Sequence, residues 1–103
     1  MTDWQMEKLA GEAMGLKLDG VEGRDAFLWD ADTCDMWLPI SSDAQAMALV
    51  KRFHLHIDQR PGLQLSVQSS DFSDMVCYEA KRGQALDLNL AIVELVAKVH
   101  VKK

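Results

Sequence analysis

Apolar residues recur at helical spacing in three stretches of the chain, which predicts three α-helices. The first helix begins at Thr2, whose hydroxyl suits an N-cap, and ends at Gly15, which can adopt the left-handed backbone of a C-cap. The second helix covers residues 43–53, and Ser42 and Gln45 at its start have the spacing of a capping box. Both helices are amphipathic, so we expect each to pack one face on a core.

Apolar and polar residues alternate with a period of two in four further stretches, residues 16–19, 54–58, 63–68 and 75–81. This pattern predicts short strands with one dry and one wet face, which is typical of an antiparallel sheet with part of one side in water. Residues 27–39 show no clean period, and we interpret them as a loop with a little extended structure. The predicted order is α-β-α-β-β-β-α, an α+β sandwich whose helices pack on a three- or four-stranded antiparallel sheet.

The third helical stretch covers residues 84–100 and is apolar around most of its circumference. Asp87 and Glu94 fall in one narrow polar stripe, while leucine, isoleucine and valine fill the remaining surface. Such a helix is expected to be buried on more than one side, either within its own chain or against another chain. We predict a homodimer through this helix. The alternative is that the first two helices and the sheet of the same chain already cover it.

Length and charge bound the class of protein. A chain of 103 residues suits one compact domain, and we expect a single domain over residues 1–103. The formal net charge is -5, with ten acidic and three basic residues in positions 1–50 but six acidic and eight basic residues in positions 51–103. An acidic balance opposes the attraction to phosphates, so we expect no direct binding to nucleic acid. The uneven distribution predicts one acidic surface.

The sequence contains no apolar run of roughly 18 residues, the length of a membrane helix, and its first residues do not resemble a signal peptide. We therefore expect a soluble, cytoplasmic protein without a membrane contact. Cys34 and Cys77 are too few for a disulfide framework or a metal knuckle, and we predict two reduced thiols.

Three stretches of the sequence carry a resemblance to a known family: residues 12–17 with a Met-Gly step, residues 37–43 with a proline and two serines before the second helix, and residues 88–99 at the end of the chain. Together they resemble the phage ABA sandwich domain family, small proteins encoded by bacteriophages and prophages. The resemblance implies an N-terminal helix, a short antiparallel sheet, a C-terminal helix and a viral accessory gene. It brings no catalytic residues to this chain.

Two imidazoles and a carboxylate alternate in the stretch His54, His56 and Asp58, and on one strand face they would supply part of a zinc or iron site. This spacing predicts, as an alternative function, a small metal-dependent hydrolase. The other interpretation is a solvated polar face on a strand whose opposite face, Leu55 and Ile57, belongs to the core. We favour this second interpretation and assign no metal and no cofactor to the protein.

Two tryptophans, Trp29 and Trp37, flank three aspartates, Asp30, Asp32 and Asp35. Tryptophan is enriched in the energetic centres of protein interfaces, and carboxylates favour a basic partner. These five residues therefore predict a partner-binding surface. The alternative is that the two tryptophans close the core over the sheet.

The acidic surface and the family resemblance lead to one functional hypothesis. We expect a small phage or prophage accessory protein that binds another protein, such as a host or defence factor, and has no catalytic activity. A catalytic site needs an acid, a base and a nucleophile that converge in a pocket, and the spacing of residues in this sequence indicates no such set.

Overall fold

A computed structural model of the chain describes residues 2–21 and 27–102. The helices are α1 (Asp3–Ala13), α2 (Asp43–Phe53) and α3 (Leu88–Val101). The strands are β1 (Leu18–Val21), β2 (Phe27–Asp30), β3 (His56–Arg60), β4 (Gln64–Gln68) and β5 (Met75–Glu79), and a 3-10 turn follows at Ala80–Arg82. The predicted α+β class and antiparallel pairing are confirmed.

The described strands form two antiparallel sheets, whereas the sequence pattern predicts a single one. β1 pairs with β2, and the second sheet has the order β3-β4-β5. β2 corrects the interpretation of residues 27–39 as mainly loop. Its backbone pairs with β1 in a register that places Leu18 opposite Asp30 and Gly20 opposite Leu28. The strand is only four residues long and runs directly into a turn rich in aspartate. The alternation of apolar and polar residues is therefore too short to recognise in the sequence.

Local hydrogen bonds fix both ends of α1. The Thr2 hydroxyl accepts from the Gln5 backbone N–H, and the Gln5 side chain accepts from the Thr2 N–H, so the N-cap is a complete capping box. At the other end Gly15 has φ +82°, and the Leu16 N–H donates to the carbonyl oxygen of Gly11 (3.0 Å). This Schellman arrangement satisfies carbonyl groups that the helix leaves unpaired. The predicted cap residues are confirmed.

The bounds of α2 agree with the prediction, but α3 begins four residues later than the prediction of residues 84–100. Asp87 is the N-cap of α3, and its Oδ1 accepts from the backbone N–H of Leu90 (3.1 Å). This position corrects the assignment of Asp87 to the polar stripe of the helix. An aspartate at an N-cap satisfies a free N–H and favours the positive end of the helix dipole, so the helix begins there.

α3 lies at the centre of the fold, in contact with α1, α2 and the strands β4 and β5. Most of its apolar residues are buried: Ala91, Ile92, Val93, Leu95, Val96 and Ala97. The same chain thus covers the surface that suggested a homodimer through residues 84–100, as in the alternative stated above. The apolar surface of this helix therefore no longer supports the prediction of a homodimer. In the described part of the chain, no helix is both long enough and apolar enough to cross a bilayer.

β4 is the central strand of the three-stranded sheet, and its burial follows from that position. Leu65 and Val67 are buried in the core as their alternation predicts. Ser66 is buried as well, although its spacing predicts the wet face, because neighbouring strands flank it on both sides. Leu63 lies in the turn before β4 and is exposed, which corrects its place on the dry face of the predicted strand.

Candidate functional site

The chain folds back on β2 just after the strand ends. The Asp30 N–H donates to the carbonyl oxygen of Asp35 (2.8 Å), and Trp29 lies opposite Met36 in an antiparallel bridge. Residues 27–37 therefore form a hairpin, which we call the acidic hairpin. Since β1 pairs with the other edge of β2, the hairpin and β1 make a small sheet of three segments.

Several hydrogen bonds close the turn of the acidic hairpin. The Cys34 N–H donates to the Asp30 carbonyl oxygen (2.7 Å), and Cys34 itself has φ +62°. The Asp32 N–H donates to Oδ1 of Asp30 (2.9 Å), so the Asp30 carboxylate is part of the turn. Asp32 and Asp35 are exposed at the surface. Asp30, the third predicted aspartate, is half-buried.

The inner face of the acidic hairpin belongs to the core. Leu28 and Trp37 both point inward, and Trp37 is only 6% exposed. The Trp37 Nε1–H donates to the backbone carbonyl oxygen of Glu7 on α1 (2.7 Å), which satisfies its polar group. The structure therefore corrects the assignment of Trp37 to a partner-binding surface: for this tryptophan the core alternative is the right one.

Two side chains from helices anchor the segment that follows the hairpin turn. The Gln45 side-chain amide on α2 donates to the Met36 carbonyl oxygen (2.7 Å) and accepts from the Leu38 N–H (2.6 Å). Glu7 Oε2 accepts from the Ile40 N–H (3.3 Å). Burial raises the pKa of Glu7, the bond from Ile40 opposes that increase, and Asp3 adds to it. The predicted capping box of α2 is therefore only half formed: the Ser42 hydroxyl accepts from the Gln45 N–H, but the Gln45 side chain bonds to Met36 and Leu38 instead of the Ser42 N–H.

The outer face of the small sheet presents apolar side chains beside carboxylates. Asp19 lies opposite Trp29, and Trp29 lies opposite Met36, so the three residues share one face. Val21 lies on the same face. Val21 is 52% exposed, Met36 is 45% exposed and Trp29 is half-buried. We call these four residues the hairpin outer face.

Sequence reasoning found only part of this surface. Of the hairpin outer face, the sequence predicts Trp29 but not Asp19, Val21 or Met36. The signal that could have found the missed residues is the period of two in a strand. Once β2 is assigned as a strand, the residues paired with Trp29 on the neighbouring segments, and every second residue from them, fall on the same face as Trp29. That signal depends on the pairing register, which the sequence does not display.

The structure separates the three residues of the predicted metal motif. His54 is the C-cap of α2 in the left-handed conformation (φ +53°), whereas His56 and Asp58 lie on β3. The His56 ring stacks on Phe72, with 4.4 Å between the ring centroids. Asp58 lies 3.9 Å from the Arg60 Nε. Across residues 2–21 and 27–102, no three His, Cys, Asp or Glu side chains gather in a way that could hold a metal ion.

Comparison of the chain with protein-family models, with curated proteins and with solved structures found no significant match. The resemblance to the phage ABA sandwich domain family therefore stays a prediction.

Proposed function

We propose that this protein is a non-catalytic binding module that contacts a protein partner through the hairpin outer face and the turn beside it. The observation that carries the proposal is the exposure of Met36 and Val21 next to Trp29, on a hairpin whose turn displays Asp32 and Asp35. Methionine and tryptophan are enriched at the centres of protein interfaces, and a polar rim excludes water from them.

The hydrogen bonds of the acidic hairpin support this role. Its turn is closed by internal hydrogen bonds, and Glu7 and Gln45 hold the returning segment to two helices. A surface that is ordered before binding loses less conformational entropy when the complex forms. The exposed side chains are thus presented in one arrangement on a scaffold that is held from behind.

The charge of the surface favours a basic partner. Asp19 lies on the hairpin outer face, Asp32 and Asp35 lie in the turn beside it, and all three are exposed. The first half of the chain carries the whole acidic excess. Carboxylates at the rim increase the association rate with a positively charged surface. A nucleic-acid-binding protein has such a surface. The resemblance to a phage family supports a partner in the bacterial cytoplasm, such as a host or defence factor.

The proposal is tested by immobilising the chain, exposing it to a bacterial lysate and measuring how much of each retained protein remains with each variant. Met36→Ser should reduce retention of the partner about tenfold, the typical effect of truncating an interface centre. Met47→Ser is the matched control, since Met47 on α2 is 41% exposed and lies outside the hairpin outer face. This control should leave retention unchanged.

The acidic rim is tested separately with Asp32→Asn and Asp35→Asn combined. The double variant should bind more weakly at low salt and lose most of its difference from the original chain at high salt, because salt screens exposed charges. Asp58→Asn combined with Glu12→Gln removes the same charge elsewhere and should change little. The proposal is contradicted if no protein is retained, or if Met36→Ser and the acidic double variant both retain it undiminished.

A further inference from the structure

A cavity of about 260 Å³ lies at the C-terminal end of α1. There the last turns of all three helices meet the loop of residues 69–74 between β4 and β5. None of its lining residues belongs to the acidic hairpin. Its walls are mainly apolar and include Phe53, Leu55, Leu95 and Val99. Side chains of the loop form the polar part of the lining.

Asp71 supplies a negative charge to this cavity. Its Oδ1 accepts hydrogen bonds from the Ser69 hydroxyl (2.8 Å), the Ser73 hydroxyl (2.7 Å) and the Ser73 backbone N–H (3.1 Å). These bonds, those from Ser73 first, lower the pKa of Asp71 to about 2, so the carboxylate is ionised at neutral pH. Because all three donors are neutral, they hold the charge in place without cancelling it.

The other two ionisable side chains of the lining, Asp74 and His100, each lie beside an ionisable partner. Asp74 contacts the Lys102 ammonium, and the His100 Nε2 lies 3.7 Å from Oε2 of Glu12. The C-terminal turns of α1, α2 and α3 add the negative ends of three helix dipoles on the same side of the fold. Basic side chains in the last turns of α2 and α3 offset part of this field. Asp71 is exposed and has no ion-pair partner among the described residues, so its carboxylate favours a cation at the mouth of the cavity.

We propose that this cavity binds a small primary amine with an apolar tail, with the ammonium group at the Asp71 carboxylate and the tail against Phe53, Leu55 and Val99. The size agrees with such a ligand. A cavity of roughly 150 Å³ holds benzene, and sites for drug-sized molecules begin at roughly 300 Å³. Phenethylamine, a single ring with a two-carbon ammonium arm, lies between these limits and is the probe of choice.

The first test is a titration of the full chain with phenethylamine, in which NMR chemical shifts of the backbone amides report binding. Saturable shifts at residues 69–74 and near Val99 are expected, with a dissociation constant of about 1 mM, typical of a ligand with so few atoms. 2-Phenylethanol keeps the ring and removes the charge, and ethylamine keeps the charge and removes the ring. Each should bind roughly tenfold more weakly.

Two variants locate the site. Asp71→Asn keeps an Oδ1 acceptor for the loop and removes only the charge, so it should weaken phenethylamine binding roughly tenfold, whereas Asp58→Asn on β3 should not. Ala13→Leu places a larger side chain into the cavity and should abolish binding by the folded variant. The proposal is overturned if no shift saturates, if 2-phenylethanol binds as tightly as phenethylamine, or if the shifts map to another surface. These comparisons on the original chain remain decisive if a variant fails to fold.

Discussion

The indole Nε1 of Trp37 donates a hydrogen bond to the backbone carbonyl oxygen of Glu7, with 2.7 Å between the two atoms, although the residues are thirty positions apart in sequence. This bond joins the acidic hairpin to α1 and keeps the ring in the core. The surface that we propose for partner binding is therefore the opposite face of the same hairpin. Trp37 thus stabilises the contact between the hairpin and α1, whereas Trp29 lies on the hairpin outer face.

Replacement of Trp37 by phenylalanine should lower the free energy of unfolding by about 2 kcal/mol, because it removes the bond to Glu7 and leaves part of the buried volume empty. Urea denaturation measures the change. Trp29→Phe is the matched control, and its loss should be smaller because Trp29 is only half-buried. Equal losses in the two variants would contradict the assignment of Trp37 as the core residue of the pair.

Gly11 on α1 lies close to Leu18 and Trp37. A Cβ at this position would lie 2.4 Å from Leu18 Cδ1 and 2.9 Å from Trp37 Nε1. Alanine in a helix normally stabilises by about 1 kcal/mol relative to glycine. Here the side chain of Leu18 can rotate but the Trp37 indole is held by its hydrogen bond, so overpacking exceeds this gain. Gly11→Ala should therefore lower the free energy of unfolding by about 1 kcal/mol in urea denaturation.

A double-mutant cycle identifies the cause. Leu18→Ala removes one of the two contacts, so combining it with Gly11→Ala should destabilise less than the sum of the single changes. A Gly11→Ala variant that is more stable than the original chain would show that the close approach imposes no strain.

The third prediction concerns Gln45, whose amide donates to the Met36 carbonyl oxygen and accepts from the Leu38 N–H. Gln45→Glu keeps the acceptor but places a carboxylate oxygen against a carbonyl oxygen. We expect the free energy of unfolding to fall by about 2 kcal/mol at neutral pH. The loss should shrink below about pH 4, where the new carboxyl group binds a proton and can donate again.

Gln5 provides the matched control for this substitution, since it occupies the same third position of α1 that Gln45 occupies in α2. Its side chain accepts from the Thr2 N–H in the capping box, a role that glutamate fills equally well. Gln5→Glu should therefore leave stability unchanged or raise it slightly. If both substitutions have the same effect in urea denaturation, the hydrogen bonds of the Gln45 side chain to the hairpin segment do not stabilise the fold.

The fourth prediction is a pH dependence set by Asp71. Hydrogen bonds from Ser73 and Ser69 lower the pKa of this carboxyl from 3.8 to about 2. A lowered pKa in the folded state means that the stabilisation is present above the unfolded value and is lost as the pH falls through the folded value. Between about pH 4 and about pH 2, the original chain should therefore lose more stability than Asp71→Asn.

Urea midpoints measured across this pH range check the prediction. Asp58→Asn is the control, because Asp58 is an exposed carboxylate outside the loop of residues 69–74. That control should follow the curve of the original chain. Parallel curves for the original chain and Asp71→Asn would show that the serine hydrogen bonds do not stabilise the carboxylate.

The sequence by itself determined the features that depend on near neighbours. The capping bonds of Thr2 and Ser42 join residues three positions apart, and Gly15 ends α1 through its own backbone freedom. Residue type and spacing suffice to predict these two bonds from the hydroxyls, whereas the return bond of a capping box forms at Gln5 and not at Gln45, whose side chain finds partners in the hairpin segment. The alternation in β4 is equally local, and it placed Leu65 and Val67 correctly in the core.

Only the tertiary structure decided which way the two tryptophans face and whether the histidines meet. Trp37 points inward because its hydrogen-bond acceptor is supplied by α1, and Met36 joins Trp29 because of a pairing register across a turn. His54 leaves the strand face because it takes the left-handed position that ends α2. Each of these outcomes depends on which distant segment supplies a partner, and a pattern of residues along the chain carries no such information.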